Sequence, residues 1–145
     1  DRYQVSAVLH LSDTHIVAEG ALVSGRLDSA APLGRLVARL GDILPRIGPV
    51  EALLITGDVS DDGSAASYAR FARIIAPLGL PTYVIPGNHD ARNAMRAGFG
   101  EDGYLPASGR LNSIKKRTNI RNKYKIEYPN IDFAFFVLNL FFLKL

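Results

Sequence analysis

Three short apolar runs organise the first two thirds of the chain, and each stops at a polar cluster. Val5–Leu11 (VSAVLHL) ends at Ser12-Asp13, Ala52–Thr56 (ALLIT) ends at Gly57-Asp58, and Pro81–Ile85 ends at Pro86-Gly87-Asn88. Their length and β-prone content predict strands. Between the first two, Leu33, Leu36, Val37, Leu40, Ile43 and Leu44 recur at helical spacing, with Asp28 or Ser29 as the cap and Pro45 and Gly48-Pro49 as the stop. Between the second and third, Gly63-Ser64 opens a helix whose apolar face is Tyr68, Phe71, Ala72 and Ile75. Pro77-Leu78-Gly79 closes it, and a short helix over about Ala91 to Ala97 follows the third strand.

This is β-α-β-α-β. The strands read as continuous apolar runs, the pattern of a parallel sheet covered by helices. In such sheets polar strand ends gather at one edge, where α/β folds place their sites. The expected fold class is therefore α/β.

The polar clusters carry the chemistry. Asp13 and His15 are two apart, so in an extended segment they face the same way. Asp58 follows a glycine, which lets backbone and ligand come close. A carboxylate has two oxygens and can bridge two ions, and Asn88 offers a neutral oxygen. His89 is placed to act on a reacting group, and Asp61 or Asp90 can fix its tautomer. Oxygen and nitrogen donors without sulfur suit Mn, Fe, Zn or Co. Each residue also has a plainer reading. Gly87-Asn88 is a good turn, His10 a packed or hydrogen-bonded imidazole, Tyr68 a core residue, and Arg92 a partner for Asp90 or Asp62 rather than a phosphate contact. The order of the three clusters, each after its own strand, outweighs those readings.

Composition divides the chain. Residues 1–108 hold no Lys and a net charge of −3, whereas residues 109–145 hold five Lys and a net charge of +6. Sixteen Ala lie in the first part and one in the second, and five of the seven Phe lie in the second. Two units follow: a domain over 1–108, and a basic then apolar tail over 109–145 that reads as non-native or divergent sequence. The tail's apolar stretch Ile131–Leu145 predicts a buried strand or a short core helix. Membrane contact through it is not the favoured reading, since a span needs about 17–25 residues. Exposed, it would drive self-association or aggregation. The acidic first part argues against a long nucleic acid as partner. Absence of Cys excludes thiolate metal sites, disulfides and a cysteine nucleophile. No signal peptide is visible, and a cytoplasmic protein is expected.

Asp13-Thr14-His15, Gly57-Asp58-Val59-Ser60-Asp61 and Gly87-Asn88-His89-Asp90 together resemble the motifs of calcineurin-like metallophosphoesterases. The flanks Leu11-Ser12-Asp13-Thr14-His15, the helix segment containing Tyr68 and Phe71, and Pro86–Arg92 are similar to the bacterial class III cyclic-nucleotide phosphodiesterase branch. The resemblance covers about residues 5–108. It implies the N-terminal βαβαβ part of an αββα sandwich, truncated or replaced after about residue 108. It implies two divalent ions, with Asp13 and His15 on the first, Asp58 bridging and Asn88 on the second. It makes His89 the catalytic imidazole, Asp61 its orienting partner, and Asn88, His89 and Arg92 the substrate contacts. The reaction implied is hydrolysis of a cyclic nucleotide or small phosphodiester by water. Alternatives of the same fold are an inactive fragment or interaction module, and a nuclease or nucleotide-sugar pyrophosphatase. The family's later histidine motifs have no counterpart, because the three histidines are His10, His15 and His89. The resemblance therefore implies an incomplete site with weak metal binding.

Overall fold

The computed structural model describes residues 7–101, 105–108 and 111, and the backbone of 137–140. The order is β1 (Ala7–Leu11), α1 (Ala30–Ile47), β2 (Val50–Thr56), α2 (Ala65–Ile75), a 3-10 turn (Ala76–Leu78), β3 (Thr82–Ile85), α3 (Arg92–Phe99) and β4 (Val137–Leu140). The strands form one parallel sheet in the order β3-β2-β1-β4. The expected α/β architecture is present, and the chain's polar clusters sit beyond the carboxyl ends of β1, β2 and β3.

One sheet face carries the core. Leu9 and Leu11 of β1 lie beside Leu53 and Ile55 of β2, and Val84 of β3 lies beside Ile55. These pack with Leu33, Val37 and Leu40 of α1, Tyr68, Phe71 and Ile75 of α2, and Met95 of α3. Alternate residues behave differently. His10, Leu54, Thr56, Tyr83 and Ile85 are half-buried, so the strands are less evenly covered than their continuous apolar sequence suggests. His10 Nε2 meets the Thr56 hydroxyl across the sheet, in keeping with its reading as a hydrogen-bonded imidazole.

Helix ends depart from the sequence reading in instructive ways. Pro45 does not stop α1, which runs two residues further to Ile47. A proline removes the amide that would bond the carbonyl four residues back, here Gly41. Both residues are exposed, so water can take that carbonyl. Gly48, at φ 93°, makes the actual exit. Ser29 precedes α1 but its hydroxyl donates to the His15 carbonyl (2.7 Å), and Asp28 Oδ1 instead accepts the Ala30 amide (3.0 Å). α2 is capped as expected, with Ser64 accepting from the Ser67 amide. Residues 5 and 6 of the first expected strand lie outside the described residues.

In the tail, Val137–Leu140 is a strand that pairs in parallel with Val8–Leu11. The strand reading of that segment holds there; Leu111 is buried in the core, and the rest of the tail, with its basic stretch, lies outside the described residues.

Candidate metal centre

Beyond their ends, β1 and β2 keep pairing through their loops. The amides of Asp13, His15 and Ile16 donate to the carbonyls of Gly57, Asp58 and Val59 (2.9–3.1 Å), and Asp61 N returns a bond to Ile16 O (3.1 Å). Thr14 Oγ1 adds a bond to Val59 O at 2.9 Å. The two loops are thus one zipped unit. Its backbone is unusual: Asp13, His15 and Asp58 have φ of 55°, 44° and 41°. Non-glycine residues rarely adopt this left-handed region, which costs about 1–3 kcal/mol each and persists only where surroundings enforce it. Three of the four described non-glycine cases are residues the sequence singled out for chemistry. The Asp13–His15 stretch is therefore not extended, and the rule that i and i+2 face together does not apply to it.

His15, Asp58 and His89 bring their donor atoms within 4.8 Å of one another. Asp58 is buried, its Oδ1 accepts the His89 amide (3.0 Å), and its Oδ2 lies 3.7 Å from His15 Nε2. The rings of His15 and His89 meet edge to face with centroids 5.0 Å apart. Asp13 is exposed and outside this group; Asn88 and Arg92 are exposed, Asn88 beside His89 and Arg92 at the start of α3.

Asp61 serves both imidazoles. Its carboxylate Oδ1 lies 3.0 Å from His15 Nδ1 and 3.5 Å from His89 Nδ1. Its backbone carbonyl lies 2.9 Å from His89 Nδ1. A carbonyl can only accept, so His89 carries its proton on Nδ1; an ionised carboxylate imposes the same tautomer on His15. Both rings keep the Nε2 lone pair for other work. The His15 lone pair then faces the Asp58 oxygen, and two acceptors at 3.7 Å attract only through a proton or a cation. Two imidazoles held by their far nitrogens, plus one carboxylate, fit a divalent cation of the first transition row. The pKa of His89 is raised above 6.5, chiefly by the Asp61 carbonyl; desolvation is the next influence and works against it, and the charges of Asp58, Asp61 and Asp90 add to it.

The sequence reading missed what holds the two loops together. Asp90 is buried; its Oδ2 accepts the amides of Val59 (3.1 Å) and Gly87 (2.9 Å), and its Oδ1 accepts the amide of Ser60 (3.0 Å) and the hydroxyl of Tyr68 (2.9 Å). With four donors on its carboxylate it is not the surface partner of Arg92, nor does it orient His89 through a hydrogen bond. Tyr68 is a core residue as expected, and its hydroxyl also accepts the Ala91 amide (3.0 Å). Burial, then the Asp90 charge, pushes the phenol pKa up strongly. Gly87 has its own reason: a Cβ there would overlap the Asp58 carboxylate and amide. The Gly-Asn dipeptide signalled a turn, but only the folded neighbour explains why no side chain fits.

The calcineurin-like phosphoesterase model matches residues 6–142. The chain belongs to the calcineurin-like phosphoesterase family. The match extends past the change of composition at residue 109 and through β4. The chain is 46% identical over 97 residues to a 3',5'-cyclic adenosine monophosphate phosphodiesterase of Pseudomonas aeruginosa, covering 66% of this chain and 34% of that protein. It is 41% identical over 88 residues to the enzyme of the same name from Vibrio vulnificus, covering 61% and 31%. It is 29% identical over 114 residues to a probable glycerophosphodiester phosphodiesterase of Arcobacter nitrofigilis, covering 79% and 41%. The chain thus spans roughly a third to two fifths of the length of these relatives. The chain thus descends from a family of enzymes, and divalent metals are that family's cofactors. No described helix is long and apolar enough to cross a membrane.

Proposed function

We propose that the chain carries a metal-assisted phosphodiesterase site whose substrate is a cyclic nucleotide or another small phosphodiester. The reading rests above all on the convergence of His15, Asp58 and His89 at the ends of neighbouring parallel strands. The names of the relatives from Pseudomonas and Vibrio support a cyclic nucleotide within that class. In this reading Asp13, His15, Asp58 and Asn88 hold divalent metal, His89 is the catalytic imidazole, and Asn88, His89 and Arg92 contact the substrate.

A bound Mn, Fe, Zn or Co ion supplies Lewis-acid charge to the phosphoryl group and acidity to water. The chain's own residues supply placement and a proton. Asp61 holds the far nitrogen of both imidazoles, so neither ring can turn without losing a bond. The His89 amide holds Asp58 in place while the Asp58 Oδ2 atom faces His15. With the Nδ1 proton of His89 committed to the Asp61 carbonyl, the ring delivers a proton to the leaving oxygen from Nε2 only in its doubly protonated form, which the raised pKa favours.

The test is Mn-dependent hydrolysis of bis(p-nitrophenyl) phosphate and of 3',5'-cyclic AMP by the whole chain. Asp58→Ala and His89→Ala should each lower turnover by about 100-fold or more. Turnover no higher in the wild type than in these variants overturns the reading.

One observation favours a second reading. Among the described residues, a single group of three donors forms, which suits one ion better than a two-ion clamp. A chain holding one weakly bound ion without turnover would be a binding module of the same fold. Mn stoichiometry measured with the activity separates the two.

A further inference from the structure

We propose that Tyr68 and Asp90 are positioning residues for the site, setting the separation of Asp58 from His89 without touching substrate; this rests on the phosphodiesterase reading. Asp58 lies in the loop after β2 and His89 in the loop after β3. Apart from the bonds His89 itself makes, to Asp58 Oδ1 and to the Asp61 carbonyl, the direct ties between those loops converge on one carboxylate. Asp90 Oδ2 takes an amide from each loop, Val59 N and Gly87 N. Its Oδ1 takes Ser60 N and the Tyr68 hydroxyl. Tyr68 comes from α2, so a third element fixes where the carboxylate sits. The same hydroxyl accepts Ala91 N, which locks the far end of the β3 loop to the helix.

The arrangement is specific to polar atoms. Tyr68 is 1% exposed and its ring packs edge to face on Phe99, so the ring alone would be a core residue. A core role needs no hydroxyl. Here the hydroxyl both donates and accepts, each time toward the loop that carries His89. Asp58 at φ 41° and His89 N on Asp58 Oδ1 need that loop held at a fixed distance. Groups that orient the residues around a metal typically contribute 10–100-fold to affinity or activity.

Tyr68→Phe removes the hydroxyl and keeps the ring. Phe71→Leu, in the same core with no bond to Asp90, is the packing control. The first readout needs neither metal nor turnover: the amide signals of Val59, Gly87 and His89 and the imidazole nitrogen shifts of His15 and His89 in the metal-free whole chain. They are expected to move in Tyr68→Phe and stay in place in Phe71→Leu. The second is Mn affinity, expected to fall about tenfold in Tyr68→Phe alone. Should Tyr68→Phe fail to fold, Asp90→Asn replaces one acceptor oxygen and should move the same signals. Unmoved site signals in the folded variant, or equal movement in Phe71→Leu, overturn the proposal. A wild type that binds Mn but hydrolyses nothing overturns the phosphodiesterase reading instead, and the magnetic resonance comparison still decides the role of Tyr68.

Discussion

The carboxylate of Asp61 lies 3.0 Å from His15 Nδ1, while the carbonyl of the same residue lies 2.9 Å from His89 Nδ1. One residue therefore orients two imidazoles by two different groups. Asp61→Asn keeps the carbonyl and weakens the carboxylate contact. Mn affinity, read by calorimetry, should fall about 10–100-fold, as for other partners of metal-binding imidazoles. The His89 ring should keep its place. Unchanged affinity would show that His15 does not need Asp61.

Gly87→Ala should be more damaging than its size suggests. The new methyl would occupy the space of the Asp58 carboxylate, whose displacement also breaks the bond to His89 N. Loss of Mn binding and phosphodiester turnover should exceed any loss in thermal stability. Gly79→Ala is the comparison: it is also at positive φ, but a Cβ there has open space. It should change stability without changing the site. A Gly87→Ala protein with normal Mn affinity would contradict this.

His89 should titrate above its ordinary value of 6.5 in the metal-free chain, followed by imidazole nitrogen shifts. The leading cause is the Asp61 carbonyl, which survives Asp61→Asn, so that variant should lower the midpoint only in part. The sign for stability follows. A raised folded pKa favours the native state while the ring is charged. That contribution is complete below the unfolded value and is lost as pH rises through the folded one. A midpoint at or below 6.5 in the wild type would contradict the assigned bond.

Asp62 has the opposite sign. Burial pushes its carboxyl upward as the largest single influence, but the Ser64 amide and the hydroxyls of Ser67, Ser60 and Ser64 together bring its pKa below 3.8. Its contribution is present above the ordinary carboxylate value and lost as pH falls through the lowered one. Asp62→Asn should therefore unfold at a lower temperature than wild type at pH 7, with the gap closing toward pH 3. A gap that stays constant across that range would count against the hydrogen-bonded carboxylate.

The strands and helices were legible because their signals are local. Leu33, Val37 and Leu40 mark a helix face by spacing alone, and Leu9, Leu53 and Val84 mark strands that all lead into polar clusters. Pro45 misled because proline in a last, exposed turn loses only a bond that water can replace. The three motifs were legible as chemistry because Asp, His and Asn in that order after successive strands have few other uses. The bond between Tyr68 and Asp90 was not, since a tyrosine on a helix face and an acid after a histidine each have ordinary explanations.

The sequence by itself determined the α/β class, the order of the elements and the residue types gathered at the strand ends. Periodicity and turn chemistry act over a few residues, so they can be read without the fold. Only the tertiary structure decided which atoms meet. It set Asp61 between two imidazoles, left Asp13 exposed, filled Asp90 with amides from two loops and left no space for a side chain at Gly87. Apart from Asp90 with Gly87, those contacts join residues 28 or more positions apart, through backbone angles that local propensity disfavours. Their existence depends on the whole sheet holding both loops in place.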